Sequence, residues 1–347
     1  MAVRFIINLL LLAVIVGGIY YLVINVQNPS SILSHGLNIT TTQAANLSYP
    51  TTTIRPNIIP QNEAVAYALS LINKDRQAFG LQNVTYANET SGQQHSESML
   101  QNDYFSHWDI YGMKPYMRYT LLGGNQSVQE NVAFVSNSSG INVTQELQQM
   151  EYNMMYNDQA CCNNGHRYNI LNPLHNQVSI GIAYNSTTIF FTEDFINNYV
   201  NWFDNTPSYN NGNVQLKGQV IGSYPLKNVE VTYDPPVTNL TRAQLGASPY
   251  NSDYGNGKNV AGIAYTVGNE RFYYSGVMNL NATTYAVQGN KFDVEFNMHN
   301  LTNTYGPGEY TVVLIGNYTR NQSVQFVMST YTIFINSSLA AFTPKNI

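Results

Sequence analysis

The sequence predicts an α+β protein with two folded units behind an apolar N-terminal segment. Three observations lead there. Helical spacing of apolar residues, punctuated by glycine and proline, runs from about residue 61 onward. Two alternating segments, Val178–Ile182 and Ile189–Phe195, follow it as an antiparallel hairpin. From about residue 210, short Val-, Tyr-, Phe- and Thr-rich segments recur between turn signals without a convincing helix, which predicts an all-β sandwich. The 347 residues are enough for two domains at roughly 150 residues each. The expected divisions are an N-terminus at 1–4, an anchor at 5–26, a stalk at 27–60, a first domain at 61–204 and a second at 205–347.

Composition narrows the class. The chain is 44% hydrophobic, too much for intrinsic disorder. Only 10% of residues are charged, against about 25% in an ordinary soluble chain. Its polarity rests on neutral groups, 46 asparagines among them. Such a surface suits an acidic medium, where carboxylates lose charge. A net charge of −5 with no basic patch argues against nucleic acid as a partner. Two cysteines exclude a disulfide-rich scaffold and a four-thiolate zinc module.

Residues Phe5 to Val26 form an apolar run whose roughly 33 Å of helix would cross a bilayer core. The run is longer than the apolar region of a cleavable signal peptide, so an uncleaved single-pass membrane anchor is the expectation. Arg4 precedes it and no charge follows until Arg55, which places the bulk of the chain outside the cell. Sequons at Asn38, Asn46, Asn83, Asn88, Asn125, Asn137, Asn142, Asn185, Asn239, Asn281, Asn300, Asn317, Asn321 and Asn336 fit a glycosylated exterior.

In the first domain, Asn62 is placed to cap a helix carrying Val65, Ala68, Leu71 and Ile72, which Gly80 ends. Ser91 and Gln94 have the spacing of a capping box for a second helix to about Asn102. Pro115 begins a third helix, stopped at Gly123-Gly124. A fourth, about 143–157, carries Leu147, Met150 and Met154. In the second domain, strands are expected at 214–221, 228–233, 259–267, 271–277, 290–298, 309–317 and 323–335.

The residues with chemistry fall between His95 and His166. Glu151 lies within the apolar stripe of the fourth helix, and a carboxylate there is costly unless paired. His107, Glu130 and His166 are the available partners. Two histidines and two carboxylates could hold a divalent metal with an open position, act as general acid and base, or form a polar buttress. His95 shares a helix face with Met99, which fits local packing as well as cleft lining. His175 and His299 read as surface residues, and Arg118 and Arg167 as members of structural pairs. Cys161-Cys162 could close an eight-membered ring, bridge another chain or stay reduced. Asp234 is a weak calcium candidate.

Read together, Leu71-Ile72-Asn73, His95-Ser96, Phe105-Ser106-His107, Glu130-Asn131-Val132-Ala133, Gly165-His166-Arg167-Tyr168-Asn169-Ile170 and Ile180-Gly181-Ile182-Ala183 resemble the CAP superfamily of cysteine-rich secretory and pathogenesis-related proteins, in its bacterial and archaeal surface branch. The resemblance implies an α-β-α sandwich over about 61–200. It also implies a cleft lined by His107, Glu130, Glu151 and His166, with Glu146 as the alternative to Glu151. It further implies a lipid, glycan or peptide ligand, and Zn2+ on His107 and His166 if a metal is used. A zinc-dependent hydrolase is the alternative, although two protein ligands are few for a catalytic zinc. A purely structural adhesion role is the third reading.

Overall fold

Helix α1 (Gln61–Ala78) opens the first domain, and its buried Ala64, Ala68, Leu71 and Ile72 form the expected stripe. The computed structural model describes residues 56–263, 275–319 and 322–335. The expected anchor, nearly all of the stalk, the sequons at Asn38, Asn46, Asn321 and Asn336, and most of the expected 271–277 strand lie outside them. Among the described residues, no helix is long and apolar enough to cross a membrane.

Local signals set most boundaries, with two departures. Pro60, not Asn62, occupies the cap position of α1. Helix α2 (Ser91–Asn102) starts at Ser91 itself and forms no capping box. The cause is a stronger competitor: the Ser91 hydroxyl donates to Asp194 Oδ2 at 2.6 Å, while Gln94 reaches back to Thr90 Oγ1. Helix α3 (Pro115–Leu121) begins at its proline and is closed at Gly123, where φ is +91° and a side chain would be strained. Helix α4 (Val143–Tyr156) is capped by Asn142, whose Oδ1 accepts the Gln145 N–H. Two short helices follow, α5 (Gln159–Cys162) and α6 (Gly165–Ile170).

The first-domain sheet has the order β1-β3-β4-β2, from β1 (Thr85–Tyr86), β2 (Ser127–Ser136), β3 (Gln177–Tyr184) and β4 (Thr188–Asn197). β3 and β4 form the expected antiparallel hairpin. Strand periodicity sorts the central residues. Ile189, Phe191 and Phe195 of β4 pack with α1 and α4 in one apolar cluster. On the opposite face, Phe190 of β4 and Val132 of β2 pack with Met99 of α2. Gly181 lets α2 settle directly on β3, since a side chain there would strike the Gly92 backbone. The result is the α-β-α sandwich that the resemblance implied.

The second domain packs two five-stranded sheets around a shared core of Val214, Leu216, Val229, Val231, Phe292 and Phe296 among others. One sheet has the order β10-β9-β8-β13-β14, from β8 (Leu226–Asp234), β9 (Lys258–Ile263), β10 (Met278–Asn279), β13 (Gly308–Thr319) and β14 (Gln322–Ile335). The other joins β11 (Ala282–Gln288), β12 (Lys291–Asn297), β7 (Asn213–Val220) and β5 (Val200–Trp202), with β6 (Ser208–Asn210) also on β7. Since β5 pairs with β7, the chain enters the second domain before residue 204. Two helices absent from the expectation are present: α7 (Arg242–Leu245), with a Thr241–Gln244 capping box, and α8 (His299–Tyr305).

The domains share polar contacts. Lys114 Nζ and Tyr116 OH bind the two oxygens of Asp234 at 2.8 and 2.7 Å, so this carboxylate serves the interface and not a calcium ion. His175 is buried, contrary to its expected surface position. Its Nδ1 lies 2.8 Å from Asn197 Oδ1, and Asn197 in turn donates to the Val327 carbonyl of β14. His299 is exposed, as expected.

Candidate functional site

Glu130 is the centre of the first cluster. Strand alternation points it to the α2 side of the sheet, opposite Asp194 of β4. Its carboxylate is fully buried, and both oxygens are taken: Arg118 donates to Oε2 at 2.5 Å, and His107 Nδ1 lies 2.9 Å from Oε1. Arg118 also donates to the carbonyls of His107 and Met113, fixing the 107–113 turn against α3. Burial alone would raise the Glu130 carboxyl, but Arg118 and the His107 hydrogen bond hold it at about 2. Arg118 is thus the structural partner the sequence reading expected.

His95 enters the same cluster from α2. It is buried, with Nε2 2.8 Å from the Ser106 carbonyl and 3.9 Å from Glu130 Oε1. Burial and the neighbouring Arg118 push it down to about 3, so it is a neutral ring. His107 is the member that reaches solvent, with 16% of its side chain exposed. With Nδ1 on Glu130, Nε2 is the ring nitrogen left for a ligand.

The second domain completes this site. Tyr254 accepts the Glu130 backbone N–H at 3.2 Å and stands edge-on to the His107 ring, 5.0 Å between centroids. Tyr250 meets Trp108 in the same manner, and its carbonyl accepts the Ser106 hydroxyl. Tyr254 also lines an interdomain cavity of about 130 Å3 with Tyr116, Asn259, Thr330 and Phe326. Sequence reasoning missed these tyrosines because they lie more than a hundred residues downstream in a loop.

Glu151 and His166 belong to a different face. Asn131, the residue after Glu130, points to the α4 side, where its amide donates to Glu193 Oε2 and to the His166 carbonyl. Glu151 and Glu193 are buried neighbours. Burial, then the adjacent Glu193, raises Glu151 well above the usual carboxylate range. Glu146 is also buried and raised by burial, but no hydrogen bond joins it to this pair. His166 pairs with Asp158, Nδ1 to Oδ1 at 2.6 Å.

The four implied cleft residues therefore separate into His107–Glu130 on one side and Glu151 and His166 on the other. Zinc shared by His107 and His166 finds no converging ligand set. Among the described residues, the one group of three or more ligating side chains with all ligand atoms within 4.8 Å of one another is Asp158, Cys161, Cys162 and His166. Asp158 and Glu193 are the carboxylates on this side of the sheet that sequence reasoning passed over. Glu193-Asp194 carried a signal, being two acids inside an otherwise apolar strand.

Comparison with known proteins points to one family. Residues 69–200 match the profile of CAP, the cysteine-rich secretory protein family. Among solved structures, an extracellular protein containing a SCP domain from Bacillus anthracis str. Ames is similar, at 23% identity over 41% of this chain, with a TM-score of 0.31. The match spans 45% of that protein's length. An outer surface protein from Borrelia burgdorferi is similar at 12% identity over 41% of this chain and 99% of its own, with a TM-score of 0.29. No curated protein matches the sequence. Residues 69–200 of this chain are a CAP domain of the cysteine-rich secretory protein family.

Proposed function

We propose that the protein is a membrane-anchored, glycosylated surface protein whose CAP domain binds an uncharged ligand of the cell envelope, glycan or lipid, beside His107. The family's secretory description, the apolar run at 5–26 and the sequons support the exterior location. The observation that carries the binding reading is the state of Glu130. A general base works best with a pKa near the operating pH, and a carboxylate held at about 2 with both oxygens occupied is a weak one. Its work is to hold the His107 ring in place, a positioning role.

The surface nearby suits an uncharged partner. Phe134, 46% exposed, lies on the same face of β2 as Glu130, and Phe105 packs against it at 4.7 Å between centroids. Phe105 is two residues before His107, so an aromatic platform and one hydrogen-bonding nitrogen lie close together on the chain. Sugar faces or acyl chains cover such rings, and neither needs a charged receptor. The test is saturable binding of the purified chain to immobilised glycans and to neutral phospholipid vesicles, for wild type, His107→Ala and Phe134→Ser. A tenfold or greater loss in both variants with unchanged melting supports the proposal, and the responding probe names the ligand class. Binding that is absent from both probes, or untouched by both substitutions, refutes it.

A further inference from the structure

We propose that the loop from Asp158 to His166 is a redox-gated site for a soft divalent cation, competent only when the Cys161–Cys162 disulfide has been reduced. The inference is independent of the ligand site at His107. Four potential ligands converge here: the Asp158 carboxylate, the two sulfurs and one ring nitrogen of His166, all within 4.8 Å of one another. The loop is built around Asp158, which is buried at 2% exposure. Its carbonyl accepts the N–H groups of Cys162 and Asn164, its Oδ2 accepts the Arg167 N–H, and its Oδ1 faces His166. Left-handed Asn163 and Asn164, with φ of 51° and 64°, turn the chain back so that His166 returns to Asp158. Cys161 is exposed and Cys162 half-buried, so reductant and metal reach the sulfurs from solvent.

In the structure the two cysteines are joined. A disulfide sulfur is a poor ligand, whereas a thiolate is the ligand that soft cations prefer. Reduction by a dithiol transfers two electrons. A reductant thiolate attacks one sulfur and breaks the S–S bond, its second thiolate resolves the mixed disulfide, and the reductant leaves as a cyclic disulfide while both cysteines become thiols. Binding of M2+ then releases one proton from each thiol and forms two metal–thiolate bonds. With bonds of about 2.3 Å to sulfur and about 2.0–2.1 Å to nitrogen and oxygen, tetrahedral zinc needs its ligands roughly 3.3–3.8 Å apart. The cluster reaches that spacing if the sulfurs separate and the ion takes the place of the 2.6 Å hydrogen bond between His166 Nδ1 and Asp158 Oδ1, the neutral imidazole then carrying its one proton on Nε2. A set of two thiolates, one imidazole and one carboxylate suits Zn2+ or Cd2+, not Ca2+ or Mg2+.

The test uses the full-length chain in detergent, titrated with Cd2+ before and after reduction by a phosphine, which does not itself present thiols. The readouts are thiolate-to-cadmium charge-transfer absorption and displacement of Cd2+ by Zn2+. Expected are no such absorption in the oxidised chain and one Cd2+ per chain after reduction. Cys161→Ser or Cys162→Ser should abolish the stoichiometric band. Asp158→Asn and His166→Gln, checked for folding by circular dichroism, should each weaken binding at least tenfold. A reduced chain that binds no Cd2+ overturns the proposal, and so does undiminished affinity in the Asp158 and His166 variants.

Discussion

Asp194 gives a sharp test of how the sheet handles its buried acids. The carboxyl is 2% exposed, its Oδ2 accepts the Ser91 hydroxyl, and Glu130 lies directly opposite on β2. Burial first, then the fixed negative charge of Glu130, raises it from 3.8 to about 8. A raised acid stabilises the fold fully below its unfolded value, and that stability is lost as pH climbs towards the folded value. Four pH units at about 1.4 kcal/mol each put the ceiling near 5–6 kcal/mol. Asp194→Asn keeps the acceptor for Ser91 and removes the ionisation. The unfolding free energy of this variant minus that of wild type should be near zero at pH 4. It should then grow by about 1.3 kcal/mol per pH unit to about 4 kcal/mol at pH 7. Taking the difference removes the other titrating groups, which are common to both chains. The assay is urea unfolding of residues 56–347, followed by tryptophan fluorescence at unit steps from pH 4 to pH 7. A difference that stays flat across that range refutes the argument that Asp194 is held protonated.

Three further outcomes follow from the same structure. Arg118→Met strips the buried Glu130 of its charged partner and two carbonyls of their donor, and should cost about 3–5 kcal/mol in denaturant unfolding at pH 7. Glu151→Gln removes the buried acid that Glu193 disfavours in its charged form, so melting at pH 7 should rise by the equivalent of about 1–3 kcal/mol, with little change at pH 4. Asn142 cannot both cap α4 and carry a glycan freely. Peptide mass spectrometry after expression in a glycosylating host should therefore find sugar at the exposed Asn83, Asn185, Asn239 and Asn300 and none at Asn142, while Asn142→Ala should lower stability by about 1 kcal/mol.

What could be read from the sequence was whatever depends on near neighbours. Apolar spacing located α1 and α4, a first-turn proline and two glycines bounded α3, and alternation located the β3–β4 hairpin, because each rests on residues within a turn or a strand. The α2 box failed because Asp194, over a hundred residues away, offered Ser91 a buried carboxyl acceptor. His175 read as a surface residue because nothing local announces the Asn197 side chain that receives it. Strand β11 went unread since its residues are only partly buried, so its apolar alternation is faint. At the site, His107 and Glu130 were both visible and do meet. Separating the second pair from them required knowing that Glu130 and its neighbour Asn131 face opposite sides of one sheet.

The scarcity of charge has a spatial counterpart. Of the Asp, Glu, Lys and Arg residues buried in the described part of the chain, Asp75, Arg76, Asp109, Arg118, Glu130, Glu146, Glu151, Asp158, Glu193 and Asp194 lie in the CAP domain, and only Asp234 and Glu309 in the second. Several of these carboxyls are raised by burial, so they need least pairing at low pH. Against them, His95 and His175, each pushed down to about 3, resist protonation, and Glu130 at about 2 keeps its charge. The two sets pull stability in opposite directions. The raised acids favour low pH, while the neutral histidines lose stability as pH falls below their ordinary value of 6.5. A surface poor in charge and a sheet whose buried acids are raised are thus two expressions of one composition, and the ionised Glu130 beside His107 is the place where that composition makes an exception.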